Sequence, residues 1–199
     1  MTRTTRRVLW LVVMSVALWF LLVGGLSGLR TYVVQSYKIP SGSMEPTILV
    51  GDHVMVDKRT YRVRAPKRGE LAVFRFPEDP SREFVSRVVA VPGDTLEIRD
   101  KALFLAGKPV EEPFAVHIDP FIIPRSTERF ATRDNFGPLT IPPDHYFVMG
   151  DNRDNAFDSR FWGPVERSLF TGGPGMWIYW SWDAEKRATR WDRAGRSLR

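Results

Sequence analysis

Residues 8–29 run for 22 positions without a single charge, VLWLVVMSVALWFLLVGGLSGL, and this run constrains the chain more than any other feature. As a helix rising 1.5 Å per residue it would extend about 33 Å, the thickness of a bilayer's hydrocarbon core. A cleaved signal peptide is the competing reading, with Arg3, Arg6 and Arg7 as its basic head. Such peptides usually carry an apolar stretch of only about 7–15 residues that ends in a small-residue cleavage site, and none is found here. A buried helix of a soluble domain would keep a polar face, whereas this run is apolar all round. The expectation is one N-terminal transmembrane helix over 8–29. Arg3, Arg6 and Arg7 before it outweigh Arg30 and Lys38 after it, which puts residues 1–7 in the cytoplasm and the rest outside.

The remaining charge narrows the partners. The chain holds 29 Lys+Arg and 23 Asp+Glu, with a net +4 in residues 1–30, +3 in residues 183–199, and −1 between them. A nucleic-acid-binding face needs its basic residues clustered on the folded body, so no nucleic acid is expected as a partner. The absence of cysteine excludes a disulfide scaffold, a thiolate nucleophile and a cysteine zinc site. With 43% apolar and 13% aromatic residues, the chain has ample material for a core.

Residues 30–182 show no sustained 3.6-residue period. Short β-branched and aromatic runs separated by turn residues predict strands over 70–76, 83–91, 94–99, 102–105, 145–149 and 176–180. The segment FPEDPSR (76–82) is the expected turn between the first two, and Asp100-Lys101 closes a hairpin between the next pair. Fifteen glycines and fifteen prolines among many short strands favour an all-β domain of antiparallel sheets. Residues 107–140 lack periodicity and read as an extended insertion or long hairpin. The basic tail, 183–199, is either a frayed end or a last strand against the body.

Two segments carry possible chemistry. In Ile39-Pro40-Ser41-Gly42-Ser43-Met44-Glu45-Pro46-Thr47, Pro40 favours an extended approach, Gly42 permits a tight bend and Pro46 keeps Glu45 out of the helical region. Hydroxyls on such a turn, with backbone N–H groups beside them, can serve as a nucleophile beside an oxyanion hole. The bland alternative is an inert Ser/Gly/Pro turn. The second segment, GDNRDNAFDSRFWG (150–163), reads on its own as an Asx-rich turn with a structural Asp–Arg pair.

Taken in order, the anchor, IPSGSMEPT, VGDHVMVDK, RGELAVFRFP, RVVAVPGD and GDNRDN–DSRFWG resemble the bacterial type I signal peptidases. These membrane-bound serine endopeptidases remove signal peptides from exported preproteins. The resemblance implies a largely antiparallel β-domain outside the inner membrane, held by one membrane pass, and cleavage after Ala-x-Ala. It implies Ser43 as nucleophile, with Ser41 and the Ser43 amide as oxyanion hole. It also implies Ile39, Met44, Phe84 and Val85 as the lining of the substrate pockets. Arg87, Asp158 and Arg160 would support the site wall, Arg87 by pairing with an Asp of 151–158. Signal peptides and the lipid bilayer are the partners implied, with no metal or organic cofactor.

At one point the chain departs from that pattern. A serine hydroxyl needs a neighbouring base. The family's base is a lysine kept neutral by burial, immediately before the arginine of the RVV segment. Here that position is Ser86, on a strand face shared with Phe84 and Val88. The serine that supports the lysine amine in the family is Ala156. Three accounts follow: a homologue that cleaves slowly or only binds, a replacement base, or an isolated substitution in an active enzyme. Two losses at neighbouring positions argue against the third. For the second, His53, His117 and His145 all lie outside the RVV strand, and Lys58 and Lys67 read as solvated loop charges. Arg87 stays protonated and cannot act as a base.

Overall fold

The computed structural model describes residues 10, 12–24, 33–126, 128 and 131–198. Residues 10 and 12–24 are helical, with their side chains exposed. Among the described residues no helix is long and apolar enough to cross a membrane. Both ends of the expected membrane segment, and the basic residues 1–7, lie outside the described residues.

The body is almost wholly antiparallel β-structure in two sheets. Strands β1 (Val34–Lys38), β2 (Asp52–Asp57), β3 (Leu71–Phe76), β4 (Asp79–Ala90), β9 (His145–Met149), β10 (Val165–Glu166) and β11 (Phe170–Asp183) form the larger one, in the order β1-β2-β11-β3-β4-β9-β10. Two short strands, β12 (Ala188–Thr189) and β13 (Ser197–Leu198), pair with β11. The smaller sheet is β7-β6-β5-β8, from β5 (Thr95–Arg99), β6 (Ala102–Leu105), β7 (Lys108–Pro109) and β8 (Phe136–Thr140).

The local sequence accounts for these elements. In β2 alternate residues Asp52, Val54 and Val56 are buried, the period-2 pattern of a half-covered sheet. The turn Asp100-Lys101 between β5 and β6 holds both residues at positive φ, 46° and 74°, the twist that suits a two-residue hairpin. One boundary differs from expectation. The chain reverses within Pro77-Glu78, and β4 begins at Asp79 rather than after the whole 76–82 stretch. Pro80 is accommodated because the register shifts between Arg75↔Glu83 and Phe76↔Asp79, so its missing N–H falls in a bulge.

The core lies in three clusters. Ile39, Met44, Ile48, Val54, Val73 and Ile178 pack under the serine turn. Phe74, Val88, Tyr146 and Phe170 fill the space beside β4. Leu96, Ile98, Ile141 and Phe147 fill the smaller sheet. Among the described residues of 107–140 much has no regular structure, and the ends of the segment join the small sheet through β7 and β8.

Candidate active site

The serine turn leaves β1 at the edge of the large sheet and is pinned from both sides. The Ile39 N–H donates to Asp52 O at 2.9 Å, and the Ile48 N–H donates to Met44 O at 2.9 Å. From the other wall, the Asn152 N–H donates to Ser43 O at 3.1 Å and Asn152 Nδ2 donates to Gly42 O at 3.1 Å. A Cβ on Gly150 would overlap Ala156 Cβ and Ser43 O, so the backbone of the 150–156 segment lies directly against the serine. Only glycine permits that approach.

Ser43 is half-buried and Ser41 exposed, and their hydroxyls lie 3.3 Å apart. Both line a groove of about 500 Å³ whose other walls are Arg82, Glu83, Phe84, Val85 and Ser86 of β4, and Asn155, Ala156 and Phe157. A second cavity of about 80 Å³ adjoins it. Tyr37, Ile39, Val54, Val73 and Met176 line it, together with the Glu83, Phe84 and Val85 that it shares with the groove. The two cavities thus lie between β4 and the segment leaving β1, which are not paired with each other.

Ser86 is buried at 5% exposure, opposite Ala72 of β3. Ala156 is buried at 7%. Among the described residues the hydrogen-bond partner of Ser43 Oγ is Ser41 Oγ, and no lysine or histidine lines the groove. His53 Nδ1 lies 3.4 Å from the Tyr179 hydroxyl, His117 Nδ1 lies 3.4 Å from Asp154, and His145 Nδ1 lies 2.8 Å from Pro143 O. Lys58 Nζ donates to Gln35, and Lys67 is exposed. Met44, expected among the lining residues, is instead fully buried in the core beneath the turn. Its long apolar side chain gains more from that packing than from a wet groove.

Behind the groove the charges are paired and dry. Arg87 Nε and Nη2 donate to the two oxygens of Asp151 at 2.8 and 2.7 Å, and Thr47 Oγ1 donates to the same carboxylate at 2.5 Å. Arg87 also covers the Phe114 ring at 3.8 Å. Asp158 accepts from Arg160 Nε and Nη2, each at 2.8 Å, and from the Gly150 N–H at 3.1 Å. Arg160 Nη2 also donates to Arg153 O, and Nη1 donates to Arg133 O, which ties 150–160 to the insertion.

Three contributors were not evident as residues of the site. Asn152 holds the serine turn, Glu112 receives Arg153 through two 2.6 Å bonds, and Arg193 bridges Asp52 and Thr47 O. Asn152 falls in a segment that already stood out. Glu112 and Arg193 carry no local signal, because their partners are 41 and 141 residues away. Burial raises the Asp52 carboxyl, but Arg193, Ser181 and the Leu49 N–H overcome it and hold its pKa below the ordinary value.

The family model described as "Signal peptidase, peptidase S26" matches residues 8–180. The "Probable signal peptidase I-2" of Synechocystis sp. is 35% identical over 151 residues, covering 73% of this chain and 63% of its own. The "Signal peptidase I" of Pseudomonas fluorescens is 36% identical over 166 residues, covering 67% of this chain and 57% of its own. The chain therefore spans about three fifths of the length of these relatives. A solved signal peptidase I from Enterococcus faecalis V583 covers 55% of this chain and 96% of that one, with a TM-score of 0.44 and 26% identity.

Proposed function

Since the chain belongs to the signal peptidase family S26, we propose that it is a membrane-anchored serine endopeptidase acting on the signal peptides of exported preproteins, with Ser43 as nucleophile. The observation that carries this reading is the Ser41–Ser43 turn, with Ser41 exposed and Ser43 half-buried, at one wall of a groove whose other wall is β4. An extended substrate fits between β1's exit and β4 by backbone pairing with both, its alternate side chains entering the two cavities. The small, largely apolar second cavity suits a short side chain, consistent with an Ala-x-Ala site. The scissile carbonyl would then lie at Ser43. The Ser41 hydroxyl and the Ser43 N–H would donate to the oxygen as it becomes negative. Residues 8–29 would hold the domain at the outer face of the inner membrane.

One observation favours a slower version of the same reading. Ser86 and Ala156 are both buried, and by the sequence resemblance they take the positions of the family's lysine base and of the hydroxyl that supports it. Losing one member of a catalytic unit typically removes a factor on the order of 10⁴–10⁶ in rate, while substrate binding persists. The chain would then hold signal peptides in the groove and cleave them rarely. The test is incubation of the purified protein with a preprotein beside Ser43→Ala. Signal-peptide binding by both, with any cleavage lost in the variant, supports the proposal; no binding by either contradicts it.

A further inference from the structure

We propose that the groove at Ser43 takes up a primary amino group from outside the chain, and that this amine serves as the base for the Ser43 hydroxyl. Its source is either a lysine of the bound peptide or a free alkylamine. The inference rests on Ser43 being the nucleophile.

The groove has the need, the room and the lining. Ser43 Oγ is bonded to another hydroxyl, which is no base at neutral pH. Ser86 and Ala156, both nearly buried, give the wall two short side chains where the groove is about 500 Å³. A bound peptide takes part of this groove, and an ammonium on a stem of up to four carbons, such as lysine's, would occupy the part beside Ser86 and Ala156. Phe84, Val85 and Phe157 offer apolar surface to the stem, and such surroundings favour the neutral form of an amine. The charged groups facing the groove are Arg82 and Glu83. Arg82 lies over the Phe84 ring at 5.2 Å, and its charge further favours a neutral guest. Glu83 accepts from Thr171 Oγ1 at 2.9 Å and sits three positions before Ser86, about 10 Å along the strand. It attracts a cation to the mouth of the groove without replacing the base inside.

The chemistry balances without any oxidant. The amine lone pair takes the Ser43 proton as Oγ bonds to the scissile carbonyl carbon and the carbonyl π pair moves to oxygen. The C–N bond then breaks, and the ammonium returns its proton to the leaving peptide nitrogen. In the second half the same amine takes a proton from the water that attacks the ester. The acid leaves, Ser43 Oγ regains its proton, and the amine is unchanged.

The test uses the full chain at pH 9 with a preprotein lacking lysine near its cleavage site, with and without propylamine at about 0.1 M. The expected result is acceleration of about tenfold or more that saturates with amine and releases a free acid. Ser43→Ala should abolish it, as should Ser86→Met, which fills the groove with an uncharged side chain of similar length. Trimethylamine, basic but bulky at nitrogen, should not substitute. A second arm places lysine at successive positions beside the cleavage site. Cleavage of one such peptide without additive assigns the amine to the substrate; acceleration by propylamine alone assigns it to a free amine. No acceleration in either arm overturns the amine site, and if Ser86→Lys then cleaves through Ser43 the nucleophile assignment survives. An inert, folded Ser86→Lys removes both. Release of a peptide alkylamide would make the amine a nucleophile and overturn its role as base.

Discussion

Arg87 and Asp151 illustrate how single residues hold the site. The guanidinium is 3% exposed and the carboxylate 0%, joined by two bonds, with Thr47 completing the carboxylate's contacts. Burying such a pair gains little over an apolar alternative, but removing one member strands the other charge in a dry site. Asp151→Ala should cost about 3–5 kcal/mol, measured by urea unfolding. Because Thr47 and Ser43 share one turn, its remaining activity or peptide binding should fall as well. A loss below 1 kcal/mol would mean that water reaches Arg87. At this scale the sequence was informative where function sits close together in the chain. The Ser41-Gly42-Ser43 turn and the acidic-basic 150–160 stretch stood out, and Arg87 was assigned to that stretch. Met44 was not legible. A turn residue's side chain can face the groove or the core, and no neighbouring residue decides which.

Elements matter most where the insertion meets the site wall. The described residues of 107–134 have little regular structure, yet they brace the 150–156 segment. The Val116 N–H donates to Asp151 O, the Arg153 N–H donates to Val116 O, and Asp154 collects Lys101, the Asp119 N–H and His117. Burial raises the Asp154 carboxyl, but these donors outweigh it and hold the pKa down at about 2. A carboxyl depressed in the folded state contributes stability that is complete above its unfolded value, 3.8, and is lost as pH falls toward 2. Asp154→Asn should therefore flatten the decline in stability between pH 4 and pH 2, measured by thermal unfolding across that range. An unchanged acid limb would show that the cluster does not carry this dependence. Strands 70–76, 102–105 and 145–149 were readable from alternation and β-branching. The insertion was not, because its contacts are ion pairs and backbone bonds to distant partners, which leave no period. Strands β1 and β2 went unassigned for a related reason. Serine, glutamine, histidine and aspartate at their outward positions dilute the apolar signal.

For the whole molecule, the C-terminal segment closes the structure onto the serine turn. Arg193, buried at 5% exposure, donates to both oxygens of Asp52 and to Thr47 O, and β13 pairs with β11 at Met176 and Trp177. Arg193→Ala should lower stability by about 3 kcal/mol. Arg193→Lys should recover only part of it, since one ammonium cannot match the planar fork that reaches three acceptors. Full recovery by lysine, read from urea midpoints, would contradict that geometry. The antiparallel all-β class was legible from turn density and strand length. The anchoring of the tail to Asp52, Thr47 and β11 was not, since its only local cue was an excess of arginine.

On the proposed function, Ser43 is the nucleophile of an S26 peptidase groove and Ser86 occupies the position of its proton acceptor. Ser86→Lys combined with Ala156→Ser puts an amine and its supporting hydroxyl where both positions already face the groove. The most direct measurement is the rate of preprotein cleavage by this double variant beside the unaltered chain. The expected result is an increase on the order of 10³-fold or more that vanishes when Ser43→Ala is added. A folded double variant that cleaves no faster than the unaltered chain would contradict the account.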